Sequence, residues 1–369
     1  MDTCMLSDRG IKQAVKQGIL KFDPELKEEQ IQPASIDMFY EKMDSREKIP
    51  HLKRGITPYI EDVLQPGYIY DLVSTQSMYI KYDMKVRMDL RSSLRRLGAY
   101  IRVPTVMGAF GPGTIPYGFK AGLEVVNPVN ISIKLHRGDK IAQLMYVFEA
   151  PSESEMKDNN IYFLKGKEEY KEFLELEHGV IVKDNETARK LAREGYFSVS
   201  TGETFKKGFL AIHAGKEAYL VRKSTEVEFG KKNSLDNVLE KVSLPYKLKP
   251  GEHIAVEAKE NLDLSERIGM QFYNLPLAVT KKELFSGNFM VDGELRGIAD
   301  GWVDPGYKGA FSRQPKTYYS RGVNIKEGDI LGYARLIYFE NGVERPYGSK
   351  GLGSHYQNAD KTVLNPTDK

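Results

Sequence analysis

The densest group of residues able to do chemistry is Lys85-Val86-Arg87-Met88-Asp89-Leu90-Arg91-Ser92-Ser93-Leu94-Arg95-Arg96-Leu97-Gly98. Two adjacent hydroxyls, Ser92 and Ser93, are flanked there by Arg91, Arg95 and Arg96. Guanidinium forks pair bidentately with phosphate oxygens, and hydroxyls and backbone N–H groups can complete the shell, so the stretch reads as a polyphosphate cradle. Composition alone reads it instead as a solvated basic helix turn. No Gly-x-x-x-x-Gly-Lys-Ser/Thr run competes for phosphates. The second candidate is Glu124, within Gly122-Leu123-Glu124-Val125-Val126-Asn127-Pro128. In a strand it shares a face with Val126, while Leu123 and Val125 point the other way. Apolar neighbours would desolvate the carboxylate, raise its pKa and suit it to general-base work. Periodicity alone instead reads it as an edge-strand glutamate facing water.

Other chemistries are set aside by the residues available. The histidines are His51, His136, His178, His213, His253 and His355, and no two stand at metal-ligand spacing. A zinc deaminase would need an H-x-E and a P-C-x-x-C element, and neither is present. The single cysteine, Cys4, sits in a terminal segment, which argues against a Cys–His nucleophile, rules out an intrachain disulfide framework and fits a reducing compartment. With 54 Lys+Arg against 51 Asp+Glu, the formal charge of +3 is too small for a general nucleic-acid binder. No run of about 18 apolar residues suggests a membrane span, and the early acid Asp2 argues against a secretory signal. These features lead us to expect a soluble cytoplasmic protein.

The elements that must position the candidates repeat along the chain. Leu64-Gln65-Pro66-Gly67 returns as Leu248-Lys249-Pro250-Gly251, and Leu135-His136-Arg137-Gly138-Asp139 returns as Ile325-Lys326-Glu327-Gly328-Asp329. Ser7-Asp8 caps a helical pattern through Ile11, Ala14 and Val15 closed by Gly18; Asp184-Asn185 caps a second through Ala188, Leu191 and Ala192 closed by Gly195. The offsets drift slowly from 176 through 184 to 190 along the 369 residues, which favours duplication. Each half reads as one short capped helix followed by many short strands, including Met78–Ile80, Ile131–Leu135, Ile141–Phe148, Ile254–Ala258 and Leu331–Phe339. Glu340-Asn341-Gly342-Val343 reads as a hairpin turn. The expected domains are 1–150 and 184–369, joined over 151–183 by a charged, partly helical connector.

Together these segments resemble the dCTP deaminase and dUTPase superfamily. Met5-Leu6-Ser7-Asp8 with Gln32-Pro33-Ala34-Ser35-Ile36-Asp37 looks like its N-terminal pattern. Arg91-Ser92-Ser93-Leu94-Arg95-Arg96-Leu97-Gly98 looks like its Arg-Ser-Ser-Leu-x-Arg-Leu-Gly phosphate motif. Leu123-Glu124-Val125-Val126-Asn127 looks like the strand carrying the deaminase glutamate, and Gly138-Asp139-Lys140-Ile141-Ala142-Gln143-Leu144 like the turn and strand that follow. The length is similar to the two-domain form, whose C-terminal arm Tyr347–Gln357 resembles. The resemblance implies two tandem, mainly β, dUTPase-like domains (jelly-roll-like, of the β-clip kind) with short helices. It further implies a trimer-based homo-oligomer and a triphosphate bound with Mg²⁺ and no zinc.

On that resemblance Glu124 is the base that activates water for attack on cytosine C4. Ser92 and Arg96 orient the water and stabilise the intermediate; Arg91 and Ser93 help hold phosphates, with Tyr356 and Gln357 in the closing arm. The expected reaction converts dCTP to dUTP and ammonia. The alternatives are a dUTP diphosphatase, a bifunctional deaminase/diphosphatase, or a non-catalytic regulator that binds dCTP or dTTP. Two departures bear on these. The dUTPase motif Gly-Val-Ile-Asp-x-Asp-Tyr falls on Gly113-Thr114-Ile115-Pro116-Tyr117-Gly118-Phe119, which has no acid. In the second half Asp304-Pro305-Gly306-Tyr307-Lys308-Gly309 resembles that missing motif, while Gln314 stands where Glu124 stands in the first. The second domain is therefore expected to be non-catalytic, with its Asp304 loop or its arm able to complete a site on the first.

Overall fold

From Tyr70 to Ile80, every second residue is buried, the period of a strand with one face on a core. The computed structural model, which describes residues 2–48, 58–80, 84–101, 119–129, 131–150, 175–202, 205–221, 226–230, 238–249, 252–274, 290–291, 294–295, 298–314, 323–352 and 357–358, is built mainly of such strands. In the first half they are β1 (Asp2–Leu6), β2 (Leu20–Asp23), β3 (Ser35–Lys48), β4 (Tyr68–Ile80), β5 (Lys85–Leu90), β6 (Phe119–Asn127) and β7 (Lys140–Ala150). Two helices interrupt them, α1 (Asp8–Lys16) and α2 (Ser92–Arg96). As the sequence predicts, Ser7 caps α1 by accepting from Gly10 N, and Gly18 ends it at φ +70°.

Two antiparallel layers result. β7 pairs with β1, β5 and the start of β3, while β4 pairs with β2, β6 and the rest of β3. β3 crosses between layers at Phe39–Tyr40, where Tyr40 N donates to Asp139 O and Gly138 N donates to Tyr40 O. Gly138 takes φ +93° at this turn, a conformation a Cβ would strain. Between the layers Tyr40, Tyr70, Tyr146, Leu72, Ile36 and Leu20 pack as a buried core. Burying each such large side chain contributes about 1.5–3 kcal/mol.

The second half repeats these pairings. Its elements are β8 (His178–Ile181), α3 (Asn185–Arg193), β9 (Phe197–Val199), β10 (Phe209–Val221), β11 (Ile254–Leu264), β12 (Ile268–Asn274), β13 (Ile298–Val303), β14 (Lys308–Arg313) and β15 (Ile330–Phe339). Asp184 caps α3 through Thr187 N, and Gly195 follows it at φ +78°. β15 pairs with β8, β12 and the start of β10; β11 pairs with β9, β14 and the end of β10. β10 crosses between layers at His213–Ala214, where Ala214 bonds Asp329 O and Gly328 N as Tyr40 bonds Asp139 O and Gly138 N.

β1 and β8 join the halves into one sheet, antiparallel, with Cys4 opposite Val180 and Met5 opposite Gly179. Val180 is also the residue 176 on from Cys4, so the strands meet about their own equivalent positions, as in an isologous contact. Met5, Ala34, Met145 and Val147 of the first half and Ile181, Ile337, Phe339 and Val343 of the second share one apolar cluster, with Trp302 against it.

Two expectations change. The connector lies outside the described residues up to 174, and its end is the strand β8 rather than helix. Gly179 permits this, because a Cβ there would lie 2.7 Å from Phe339 and 2.9 Å from Ile337. Glu340–Val343 does turn, with Gly342 N on Phe339 O, yet no return strand follows among the described residues. The next backbone donors, Glu344 N and Arg345 N, are bound by the Asp8 carboxylate at 3.0 and 2.8 Å, and Pro346 has no N–H to offer a ladder. Among the described residues no helix is long and apolar enough to cross a membrane.

Candidate active site

The basic cluster folds as the end of β5 and the short helix α2. Arg91 N donates to Ile141 O at 3.0 Å, Arg95 N to Arg91 O at 3.2 Å, and Gly98 N to Arg95 O at 2.9 Å. Gly98 closes the turn at φ +94° beneath Val129, whose Cγ1 is 2.5 Å from where a Cβ would stand. Leu94 and Arg96 are buried, Ser93 is half-buried and Ser92 is exposed. The stretch is therefore not a freely solvated turn, because α2 is packed by Leu94 below and ion pairs beside it.

A buried carboxylate organises this end of the molecule. Asp37, fully buried on β3, places Oδ1 2.9 Å from Arg91 Nη1 and Oδ2 2.9 Å from Lys140 Nζ. One acid thus fixes two cations, each still partly exposed, beside Ser92 and Ser93. A charged acceptor shared by two charged donors is among the stronger polar contacts a protein makes. Arg95 turns elsewhere, to Asp89 at 2.9 Å.

Glu124 is half-buried on β6, opposite Asp71 of β4. On its other side β6 pairs with Tyr100–Ile101, the strand that leaves α2, through Val126 and Val125. Ser92, Arg96 and Glu124 are thereby carried on adjoining elements, and among the described residues Glu124 makes no hydrogen bond to them. Arg91, at the start of α2, reaches Asp37. Tyr356 and residues 113–118 lie outside the described residues. Gln357 is described, and its amide is engaged: Nε2 donates to Gly306 O and Oε1 accepts from Lys308 N, both at 3.0 Å. It clamps the turn that follows Asp304.

Asp304 itself is buried in the seam between the halves and accepts from Trp302 Nε1 at 2.7 Å. Burial pushes its carboxyl up to about 6; the Trp302 bond and the Arg91 charge pull it down, while Asp37 and Asp8 add repulsion. A carboxyl from the second half thus senses the charged cluster of the first.

Among the described residues the second half has no equivalent cluster. The shared crossings at Tyr40 and Ala214 make Ala211 the counterpart of Asp37 and Ile330 that of Lys140. The matching irregularities, Val73–Gly122 before Ser77–Lys120 and Glu257–Ser312 before Asn261–Ala310, make Gln314 the counterpart of Glu124. Sequence reasoning quoted Asp37 only within a motif and missed its pairing with Lys140. The available signal was an acid inside the run Ile36-Asp37-Met38, where flanking residues are all core.

The chain is similar to known proteins in sequence and in fold. Residues 5–148 match the family described as dCTP deaminase-like. A dCTP deaminase, dUMP-forming, of Thermobifida fusca is 32% identical over 166 residues, which cover 41% of this chain and 81% of that protein. The dUMP-forming dCTP deaminases of Corynebacterium jeikeium and Methanobrevibacter smithii are 28% and 27% identical, over 85% and 79% of their lengths and 41% and 38% of this chain. The crystal structure of a 2'-deoxycytidine 5'-triphosphate deaminase from Agrobacterium tumefaciens superposes with a TM-score of 0.63 at 16% identity. It covers 93% of this chain and 99% of its own, a likeness of fold across both halves.

Proposed function

The chain belongs to the dCTP deaminase family, and from that premise we propose that its first half hydrolyses the 4-amino group of dCTP. The observation that carries this reading is the Arg91–Lys140 pair held by buried Asp37 beside Ser92 and Ser93. The triphosphate lies against Arg91, Ser92 and Ser93. Mg²⁺ carried in with the triphosphate would neutralise phosphate charge beside Arg91, Ser92 and Ser93. Glu124 takes one proton from water as the oxygen bonds to C4 and passes it to N3. It then takes the second from the C4 hydroxyl and passes it to the amino group, which leaves as ammonia, while Ser92 and Arg96 hold the water and the tetrahedral intermediate.

The dUTP end product expected from the first-half motifs gives way to dUMP, because the relatives are named dUMP-forming. Formation of dUMP adds a second hydrolysis, in which water attacks the α-phosphorus and pyrophosphate leaves. The sum is dCTP plus two waters giving dUMP, ammonia and pyrophosphate. The acid absent from residues 113–118 is then supplied across the seam by Asp304. The second half takes no other part in the chemistry, and the trimer-based assembly and cytoplasmic setting belong to the same reading.

Purified protein given dCTP and Mg²⁺ should release ammonia and pyrophosphate and accumulate dUMP. Glu124→Gln should lower deamination by about 10²–10⁴-fold, the usual contribution of a positioned base, while binding dCTP as before. Full turnover by that variant would overturn the assignment, and dUTP without pyrophosphate would restore the simpler deaminase.

A further inference from the structure

The second half also reaches α2 from behind, away from the Asp304 loop. Beyond β10, Glu226–Glu228 pair in parallel with Ser132–Lys134 of the first half, Val227 opposite Ile133. Tyr219 and Val221 of β10 pack in the same apolar cluster as Leu94, Leu97 and Val129. This end of the seam is fixed by backbone pairing and by core packing together. A side chain projecting from it therefore meets α2 at a set distance.

His253 is such a side chain. It directly precedes β11; Val221 N donates to its carbonyl at 2.9 Å, and Leu220 pairs with Ile254. Its ring lies on Gly98, where a Cβ would come within 3.2 Å of Cγ, and its Nε2 is 3.1 Å from Arg95 O. A carbonyl can only accept, so Nε2 carries the hydrogen and donates. Arg95 O also accepts from Gly98 N at 2.9 Å. It is among the carbonyls that a helix leaves open at its C-terminal end, and a histidine from the other half binds it. At the offset of 184 that relates Leu64 to Leu248, the first-half counterpart of His253 is Ile69, which has no side-chain donor. The contact therefore belongs to the second copy's own sequence and not to the shared fold.

Arg95 O belongs to the peptide that joins Arg95 to Arg96. That unit is planar, so holding its oxygen sets the direction in which the Arg96 backbone leaves it. At the other end of α2, Asp37 holds Arg91. The helix spans only Ser92–Arg96, and it is tethered at both ends, once from each half. We propose that His253 is a positioning residue. Without touching the reacting atoms, it holds the Arg95–Arg96 peptide so that Ser92 and Arg96 meet the substrate in productive geometry. Its part in turnover rests on the deaminase reading; its hold on α2 does not.

Three variants of the full chain test this. His253→Phe keeps a ring on Gly98 and loses the donor, His253→Gln loses the ring and keeps an N–H, and His253→Ala loses both. His253→Phe should melt within about 3 °C of the parent, yet lower kcat/KM for dCTP by about 10-fold, as misplacing a working group does. His253→Gln should recover most of that loss, which a general loosening of the seam would not allow. Hydrogen exchange gives a readout free of substrate. The amides of Leu97, Gly98 and Ala99, bound to Ser93, Arg95 and Leu94, should exchange at least about fivefold faster in His253→Phe and His253→Ala. In His253→Gln they should stay near the parent rate. Parent-like turnover in His253→Phe would overturn the positioning role, and parent-like exchange would overturn the hold on α2. Equal losses in His253→Phe and His253→Gln would also overturn the proposal, as would variants that melt far below the parent with exchange raised throughout both halves. The ring would then be packing and nothing more. A parent that binds dCTP and releases no ammonia would overturn the deaminase reading alone; faster exchange at Leu97–Ala99 in His253→Phe would still establish the tether.

Discussion

A carboxyl buried beside one guanidinium and two other carboxyls, as Asp304 is, makes stability depend on pH. Folding raises its pKa to about 6 from about 3.9 in the unfolded chain. The native state therefore binds the proton more tightly, and the contribution to stability falls as pH rises from about 4 to about 6 and stays at the lower level above. Asp304→Asn keeps the acceptor for Trp302 but carries no charge. It should be more stable than the parent at pH 8 by about 2 kcal/mol, with the gain vanishing near pH 4. Urea titrations at the two pH values measure this, and an equal effect at both would refute the buried charge as its source. If Asp304 serves the phosphate step, the same variant should deaminate dCTP yet release less pyrophosphate, a gain in stability at the expense of activity. Individual residues were unevenly legible in the sequence. Ser92, Ser93 and Glu124 announced themselves by type and spacing, whereas Asp37 was hidden, because pairing with Arg91 and Lys140 from distant segments is a product of the fold.

At the scale of elements, α2 is short enough that its ends decide its position. Gly98 is its stop, at a φ that disfavours any side chain and beneath a valine methyl that leaves no room for one. Gly98→Ala should cost about 2–4 kcal/mol from strain and overpacking together. It should raise the KM for dCTP and lower kcat together, because Arg91 and Ser93, which hold phosphates, and Ser92 and Arg96, which hold the water and the intermediate, all shift with the helix. A loss confined to kcat would mean that α2 does not hold the phosphates. The capped helices α1 and α3 and the alternating strands were readable because their signals are local: an Asx or Ser cap, a closing glycine, a period of two. The turn at Glu340–Val343 was readable as a turn, but the missing return strand was not. Its donors are taken by Asp8, more than 330 residues away, and no local pattern encodes that.

Across the whole molecule, the repeat visible in spaced Pro-Gly and Gly-Asp turns becomes two sandwiches with matching pairings, but the sequence did not show how firmly they are joined. β1 and β8 make one sheet of them, and the shared apolar cluster draws residues from both. Trp302 packs on that cluster and occupies the space above Gly269, where a Cβ would lie 2.4 Å from its ring. Halves coupled through a common sheet and a common core lose most of their contacts together, so they should unfold in one step. Calorimetry should give a single transition whose measured enthalpy equals the van't Hoff value, the mark of two-state behaviour. Trp302→Ala, which removes a large ring from the seam, should cost about 3 kcal/mol and move that one transition down without splitting it. Two resolved transitions in the parent, or a Trp302→Ala protein in which only the second half melts early, would show that the halves are independent domains and that the seam is an ordinary surface contact.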